Sequence, residues 1–195
     1  MSKSVAAPLV LAAVVLSACG GPDYSGPPRS QNDICAIFAE RPEWRDAMEA
    51  SQRRWGAPVP VQMAIIWRES SFRAAVRPPK KYIMGVIPNG HISSAFGYAQ
   101  AIDGTWDWYQ NDTGRSGADR TDFEDAADFV GWYMAQSRSQ NGIGMWDAYN
   151  QYLAYHEGHA GHRRGSYNAK NWLREVARKV TAQAGRYRQQ LVGCS

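Results

Sequence analysis

The run Met63-Ala64-Ile65-Ile66-Trp67-Arg68-Glu69-Ser70-Ser71-Phe72 ends an almost unbroken apolar stretch in one glutamate. A carboxyl group at the C-terminal end of a buried helix is pushed toward its protonated form. Desolvation disfavours the anion, and so does the negative end of the helix macrodipole. A glutamate that keeps its proton near neutral pH suits general-acid chemistry on a glycosidic oxygen. Taken alone, such a residue is more often a solvated helix end or half of an ion pair. Two later segments favour the acid.

The first of these is Ser94-Ala95-Phe96-Gly97-Tyr98-Ala99-Gln100, and the second is Tyr152-Leu153-Ala154-Tyr155-His156-Glu157-Gly158. Together with Glu69-Ser70, and in this order, they resemble the catalytic domain of the soluble-type lytic transglycosylases, relatives of goose-type lysozyme. That family carries a Glu-Ser pair, a Gly-Leu-Met-Gln motif and an Ala-Tyr-Asn motif, and the resemblance covers roughly residues 41–191. Two departures mark a divergent member. Gly97-Tyr98-Ala99-Gln100 keeps only the outer residues of its motif, and Ala154-Tyr155-His156 lacks the asparagine. Ala148-Tyr149-Asn150 matches the tripeptide literally, but Tyr155 is preferred because it lies just before the helix-breaking Gly158.

The resemblance implies that Glu69 protonates the bridging oxygen and then acts as base toward the muramic-acid C6 hydroxyl, closing a 1,6-anhydro ring without water. It makes Ser70, Gly97, Tyr98, Gln100 and Tyr155 candidates for substrate binding. Tyr155 would direct its hydroxyl at Glu69, Gln100 would offer donor and acceptor to a sugar substituent, and Gly97 would admit backbone close to the sugar. Most glycosidases use a second carboxylate. The nearest in sequence are Asp103 and Asp107, which read as helix-start residues, and Glu157, which adjoins Tyr155. Among the aromatic residues, Phe96, Tyr98, Trp106 and Trp108 are candidates for stacking on pyranose faces. His156, His159 and His162 invite a zinc reading, yet their spacing of three and the intervening Gly158 and Gly161 oppose a metalloprotease helix. No metal and no cofactor is expected.

The chain starts with a short basic segment and an apolar stretch from Val5 to Leu16, which is short for a membrane span and reads as a signal peptide over residues 1–18. Leu16-Ser17-Ala18-Cys19 resembles the bacterial lipobox, which implies lipidation of Cys19; Gly20 after it favours the outer over the inner membrane. Residues 19–30, rich in Gly, Pro and Ser, read as a flexible tether. Cys35 and Cys194 remain, near the two ends of residues 31–195, and in an oxidising compartment they are expected to pair. The net charge is +4, and eight Lys or Arg against one Glu follow Ala160. This basic end reads as a solvated helix face or a contact for an anionic polymer or lipid head groups. Nothing resembles a nucleic-acid-binding motif.

Apolar periodicity makes the chain mainly α, one domain with a small β-hairpin or flap insertion, and the resemblance implies that this helical domain is lysozyme-like. Helices are expected over residues 42–54, about 60–70, after 103–105, about 121–139, 145–156 and 169–191. Strand-like residues 82–87, a turn at Pro88-Asn89-Gly90 and a return strand from Ile92 form the insertion. Residues 158–165 read as a loop. The function expected is cleavage of the MurNAc-β-1,4-GlcNAc bond of peptidoglycan glycan strands by a lipid-anchored monomer at the periplasmic face of the outer membrane. The alternatives are a muramidase-type hydrolase using water and a non-catalytic peptidoglycan-binding lipoprotein.

Overall fold

Glu69 owes its position to a helix buried on nearly every side. In the computed structural model, which describes residues 26–194, helix α3 (Val59–Ser70) buries every residue from Val59 to Ile66. A helix that is apolar all round must lie inside its domain, and α3 packs against three others: α2 (Pro42–Trp55), α5 (Phe123–Asn141) and α7 (Asn171–Leu191). The other elements are α1 (Ile34–Glu40), α4 (Asp103–Thr113), α6 (Ala148–Arg163), one 3-10 turn (Ser166–Ala169) and two strands. The fold is thus mainly α with a hairpin, as expected. The expected signal peptide over residues 1–18 and the expected lipidation site Cys19 lie outside the described residues.

Helix α5 is the second centre, touching α2, α3, α4 and α6. Its approach to α2 requires Gly131, where a Cβ would lie 2.1 Å from Ser51 Oγ. The Ser51 hydroxyl lies 2.8 Å from both Gln62 Oε1 and the Ala127 carbonyl, so this polar contact between α2, α3 and α5 is satisfied inside the core. The α5 N-cap is Asp122, which accepts the Asp125 amide at 3.0 Å, so the helix starts at Phe123, close to the expected 121.

The two ends of the described chain are fastened together. Cys35 and Cys194 form a disulfide across a sequence separation of 159 residues. Closing a loop of that length restricts the unfolded chain and contributes about 3–5 kcal/mol. Gln190 adds two hydrogen bonds to the start of α1, accepting from Ile34 N and donating to Asn32 O. Of the expected tether only residues 26–30 are described: Pro28 is buried and Arg41 donates to Gly26 O at 2.7 Å, so these residues lie on the body.

Strands β1 (Lys80–Ile83) and β2 (Ile87–His91) pair antiparallel, with Tyr82 opposite Pro88 and Ile83 opposite Ile87. The turn is at Met84-Gly85-Val86, not at Pro88-Asn89-Gly90. Met84 and Gly85 both take left-handed backbone (φ 53° and 75°), the geometry that matches the twist of a tight hairpin. Pro88 is tolerated because a two-stranded sheet consists only of edges. Residues 158–165, expected as a loop, are mostly helical. Gly158 (φ 72°, ψ 159°) leaves helical geometry, so α6 is two helical segments that meet at a kink, and the second runs on to Arg163.

Candidate active site

A cleft of about 400 Å³ opens between the end of α3, the loop after β2, and α4, α5 and α6. That volume is in the range of small-ligand sites. Glu69 lies on one wall, Gln100 and Ile102 on the loop, Phe129 and Tyr133 at the base, and Tyr155 through Gly158 on the far side. The chain reverses directly after Glu69. Ser71 and Phe72 both adopt left-handed backbone (φ 53° and 59°), a conformation that costs residues other than glycine on the order of 1–3 kcal/mol each. Burial of Phe72 beneath the Trp44 ring, 5.7 Å between centroids, opposes that cost.

Glu69 is half-buried, and desolvation raises its pKa from 4.5 to about 7; a hydrogen bond from Tyr152 and the charge of Arg68 offset part of the rise. The carboxyl is therefore largely protonated just below neutral pH, as an acid in this position must be. Glu157, on the opposite side, behaves in the reverse way. Burial pushes its pKa up, but Lys170 (2.7 Å), the Ser166 hydroxyl and His156 (3.1 Å) outweigh that and hold it at about 2. It is a fixed anion with its oxygens already engaged. Asp103 and Asp107 do not line the cleft, and Asp103 pairs with Arg120 at 2.8 Å.

The sequence matches the transglycosylase SLT domain over residues 7–194. The chain belongs to that family. SLT domains cleave glycosidic bonds of peptidoglycan in the cell envelope, which gives the broad activity and substrate of the chain. No curated protein matches the chain.

Within the SLT domain the expected site residues separate into two groups. Glu69, Gln100 and Tyr155 meet in the cleft. Gln100 Nε2 donates to Val76 O (2.9 Å) and Gly97 O (2.8 Å), so its amide hydrogens hold the loop and Oε1 is the atom left for a ligand. Tyr155 does not reach Glu69 with its hydroxyl, which instead donates to Ala99 O at 2.5 Å and ties α6 to the loop. Tyr152, one turn earlier, makes the bond to Glu69.

Three residues leave the site altogether. Ser70 is 1% exposed and donates to Ile66 O at 3.2 Å, terminating α3. Tyr98 is buried with its ring edge-on to Trp44 and Phe123, away from the cleft. Gly97 (φ 80°) is required by the approach of another segment: a Cβ there would lie 2.0 Å from Arg120 O. Phe96, Trp106 and Trp108 are also absent from the lining.

Phe129 and Tyr133, one turn apart on α5, supply the aromatic floor. Their spacing and type are those of ordinary core residues, so periodicity alone gave no signal of the cleft. The Tyr133 hydroxyl donates to Ala154 O at 3.2 Å, four residues before the bend at Gly158. His159 is buried against Ser137, His162 contacts Asn141 and Asn150, and His156 contacts Glu157. Among the described residues no group of three His, Cys, Asp or Glu could hold a metal ion.

Proposed function

We propose that this SLT domain is a lytic transglycosylase that cleaves the MurNAc-β-1,4-GlcNAc bond and leaves a 1,6-anhydroMurNAc end. The observation that carries this reading is the Glu69 carboxyl, raised to about 7 on the wall of an open cleft. The Glu69 proton passes to the glycosidic oxygen as the bond to the anomeric carbon breaks. The C6 hydroxyl of the same muramic residue then attacks that carbon, and its proton returns to Glu69. Atoms balance without water, and the acid is regenerated.

Hydrolysis by the usual two-carboxylate routes would need a second carboxylate free to activate water or to form a glycosyl intermediate. Glu157 is the other acid in the cleft, and its oxygens are occupied by Lys170, Ser166 and His156. This supports the ring-closing route. The Gln100 Oε1 and the aromatic floor of Phe129 and Tyr133 are suited to an N-acetylated sugar. Lipidation at Cys19 would place the domain at the periplasmic face of the outer membrane as a monomer; no described helix is long and apolar enough to cross a membrane.

Mass spectrometry of muropeptides released from purified peptidoglycan tests the reading. Anhydro products, lighter by one water than the hydrolytic ones, are expected from the wild-type chain and at most a trace of them from Glu69→Gln. Reducing-end products would make the chain a hydrolase. Binding without products from the wild type would make it a non-catalytic wall-binding protein.

A further inference from the structure

The β1–β2 hairpin buries none of its own strands: every residue of β1 and β2 is exposed. Its apolar side chains are nevertheless large and adjacent. Met84 is 88% exposed and Val86 75%, with Ile83, Ile87 and Tyr82 next to them. Single exposed apolar residues are ordinary, but a contiguous group of them is the mark of a surface that meets another phase or molecule.

The base of the hairpin is fastened. Ile92 N donates to Pro79 O at 3.1 Å, and Gly97 N and Gln100 Nε2 both donate to Val76 O. The tip is thus carried outward from a base that also forms the cleft wall.

Charge around it is one-sided. Residues 70–102 contain Arg73, Arg77, Lys80, Lys81 and His91 and no Asp or Glu. From tip to base the order is an aliphatic crown (Met84, Val86, Ile83, Ile87), then Tyr82, then Lys80 and Lys81. A bilayer presents the complementary order: acyl chains, a half-wet interface that suits tyrosine, then anionic head groups. With a strand rise of about 3.3 Å per residue, Lys80 lies about 13 Å from the tip, so a crown inserted about 5–10 Å leaves the lysines at head-group level. A symmetric pair of copies would bring two basic collars together. A glycan strand offers nothing for an aliphatic crown.

We propose that the hairpin is a membrane-docking element, with its crown in the interfacial region of a bilayer and Lys80 and Lys81 on anionic phospholipid head groups. Gln100 of the cleft wall donates to Val76 O at the hairpin base, so docking would set the direction in which the cleft faces the wall above the membrane. This inference does not rest on the chemistry proposed for Glu69.

An environment-sensitive fluorophore on Met84→Cys of the full chain reads the tip directly; the same label on Ser139→Cys, an exposed position in α5, is the control. Any attachment through the N-terminal segment is common to all variants and does not affect the comparison. With vesicles of phosphatidylglycerol and phosphatidylcholine, the label at 84 is expected to brighten and shift to the blue, and the label at 139 to stay unchanged. Lys80→Gln with Lys81→Gln should weaken docking roughly 10- to 30-fold, at about fivefold per basic residue, and added salt should weaken it too. These positions bury nothing, so the core is unaffected. The proposal is overturned if the label at 84 does not respond to anionic vesicles. It is overturned equally if the label responds only to isolated glycan strands, making the hairpin a cleft lid, or to protein concentration without lipid, making it a self-association surface.

Discussion

Glu69 and Glu157 line one cleft, at the end of α3 and beside the bend of α6, yet the first is pushed up to about 7 and the second held at about 2. Burial acts in the same direction on both. The difference is in the donors. Glu69 has the Tyr152 hydroxyl and the charge of Arg68; Glu157 has an ammonium group, a hydroxyl and an imidazole within hydrogen-bonding distance. Charge-assisted hydrogen bonds favour the anion, and two or three of them exceed the desolvation that one neutral donor leaves largely uncorrected. The cleft therefore holds one carboxyl that can give up a proton and one that cannot.

Removing the labile proton has the largest effect. Glu69→Gln should lower anhydro-product formation by about 10²- to 10⁴-fold, the usual contribution of a positioned general acid, while glycan binding persists. In the wild type, turnover should fall as pH rises through about 7. An unchanged rate in the variant would remove Glu69 from the mechanism.

The same substitution should stabilise the fold. Between the unfolded pKa near 4.5 and the folded value of about 7, the unfolded chain gives up the Glu69 proton and the native chain keeps it. Stability therefore falls as pH rises across that window and levels off above it. The loss is at most about 3 kcal/mol by the conversion of one pKa unit to 1.36 kcal/mol. Urea midpoints at pH 8 should be higher for Glu69→Gln than for the wild type, and should converge near pH 4. Equal midpoints at pH 8 would mean that the carboxyl is not held protonated.

Glu69 was legible in the sequence because an apolar run broken by one acid is a signal along the chain itself. So were α2 and α7, whose apolar residues repeat at helical spacing, and α3, marked by its continuous apolar run. What the chain conceals is which of two hydroxyls meets the acid. Tyr152 and Tyr155 are three residues apart on one helix, and only the position of α6 relative to the end of α3 makes Tyr152 the partner and sends Tyr155 to Ala99. Gly158 reads as a helix stop from its type, and its non-helical backbone does break α6; what the type does not show is that a second helical segment follows it to Arg163. That bend keeps His156 and Glu157 in the cleft while His159 turns into the core. Phe129 and Tyr133 look like any buried pair one turn apart. Whether such residues form core or cleft floor depends on whether another element covers them.

Removing a donor from Glu157 should shift it toward its neighbour across the cleft, with a smaller effect than the loss of Glu69. Lys170→Met leaves a nearly buried carboxylate with Ser166 and His156 alone, and should cost about 1–2 kcal/mol at pH 7. A depressed pKa contributes stability above the unfolded value, near 4.5, and loses it as pH falls through about 2. The difference between wild type and variant in urea titrations should thus persist at pH 5 and fade toward pH 2. If the two have equal stability at pH 7, Lys170 is not what holds Glu157 charged.

The smallest change tests the other side. The Tyr152 hydroxyl donates to the Glu69 carboxylate and so favours its anion, which makes this bond a brake on the rise toward 7. Tyr152→Phe keeps the ring in the core and removes only the donor. The pKa of Glu69 should then climb by up to about one unit, and the alkaline limb of the activity profile should move to higher pH with it. The rate near pH 6, where the acid is already protonated, should fall only a few-fold through looser orientation. A limb that moves to lower pH would show that Tyr152 favours the protonated acid instead, accepting its hydrogen rather than donating one. A limb that stays in place would mean that desolvation alone sets the difference between the two glutamates.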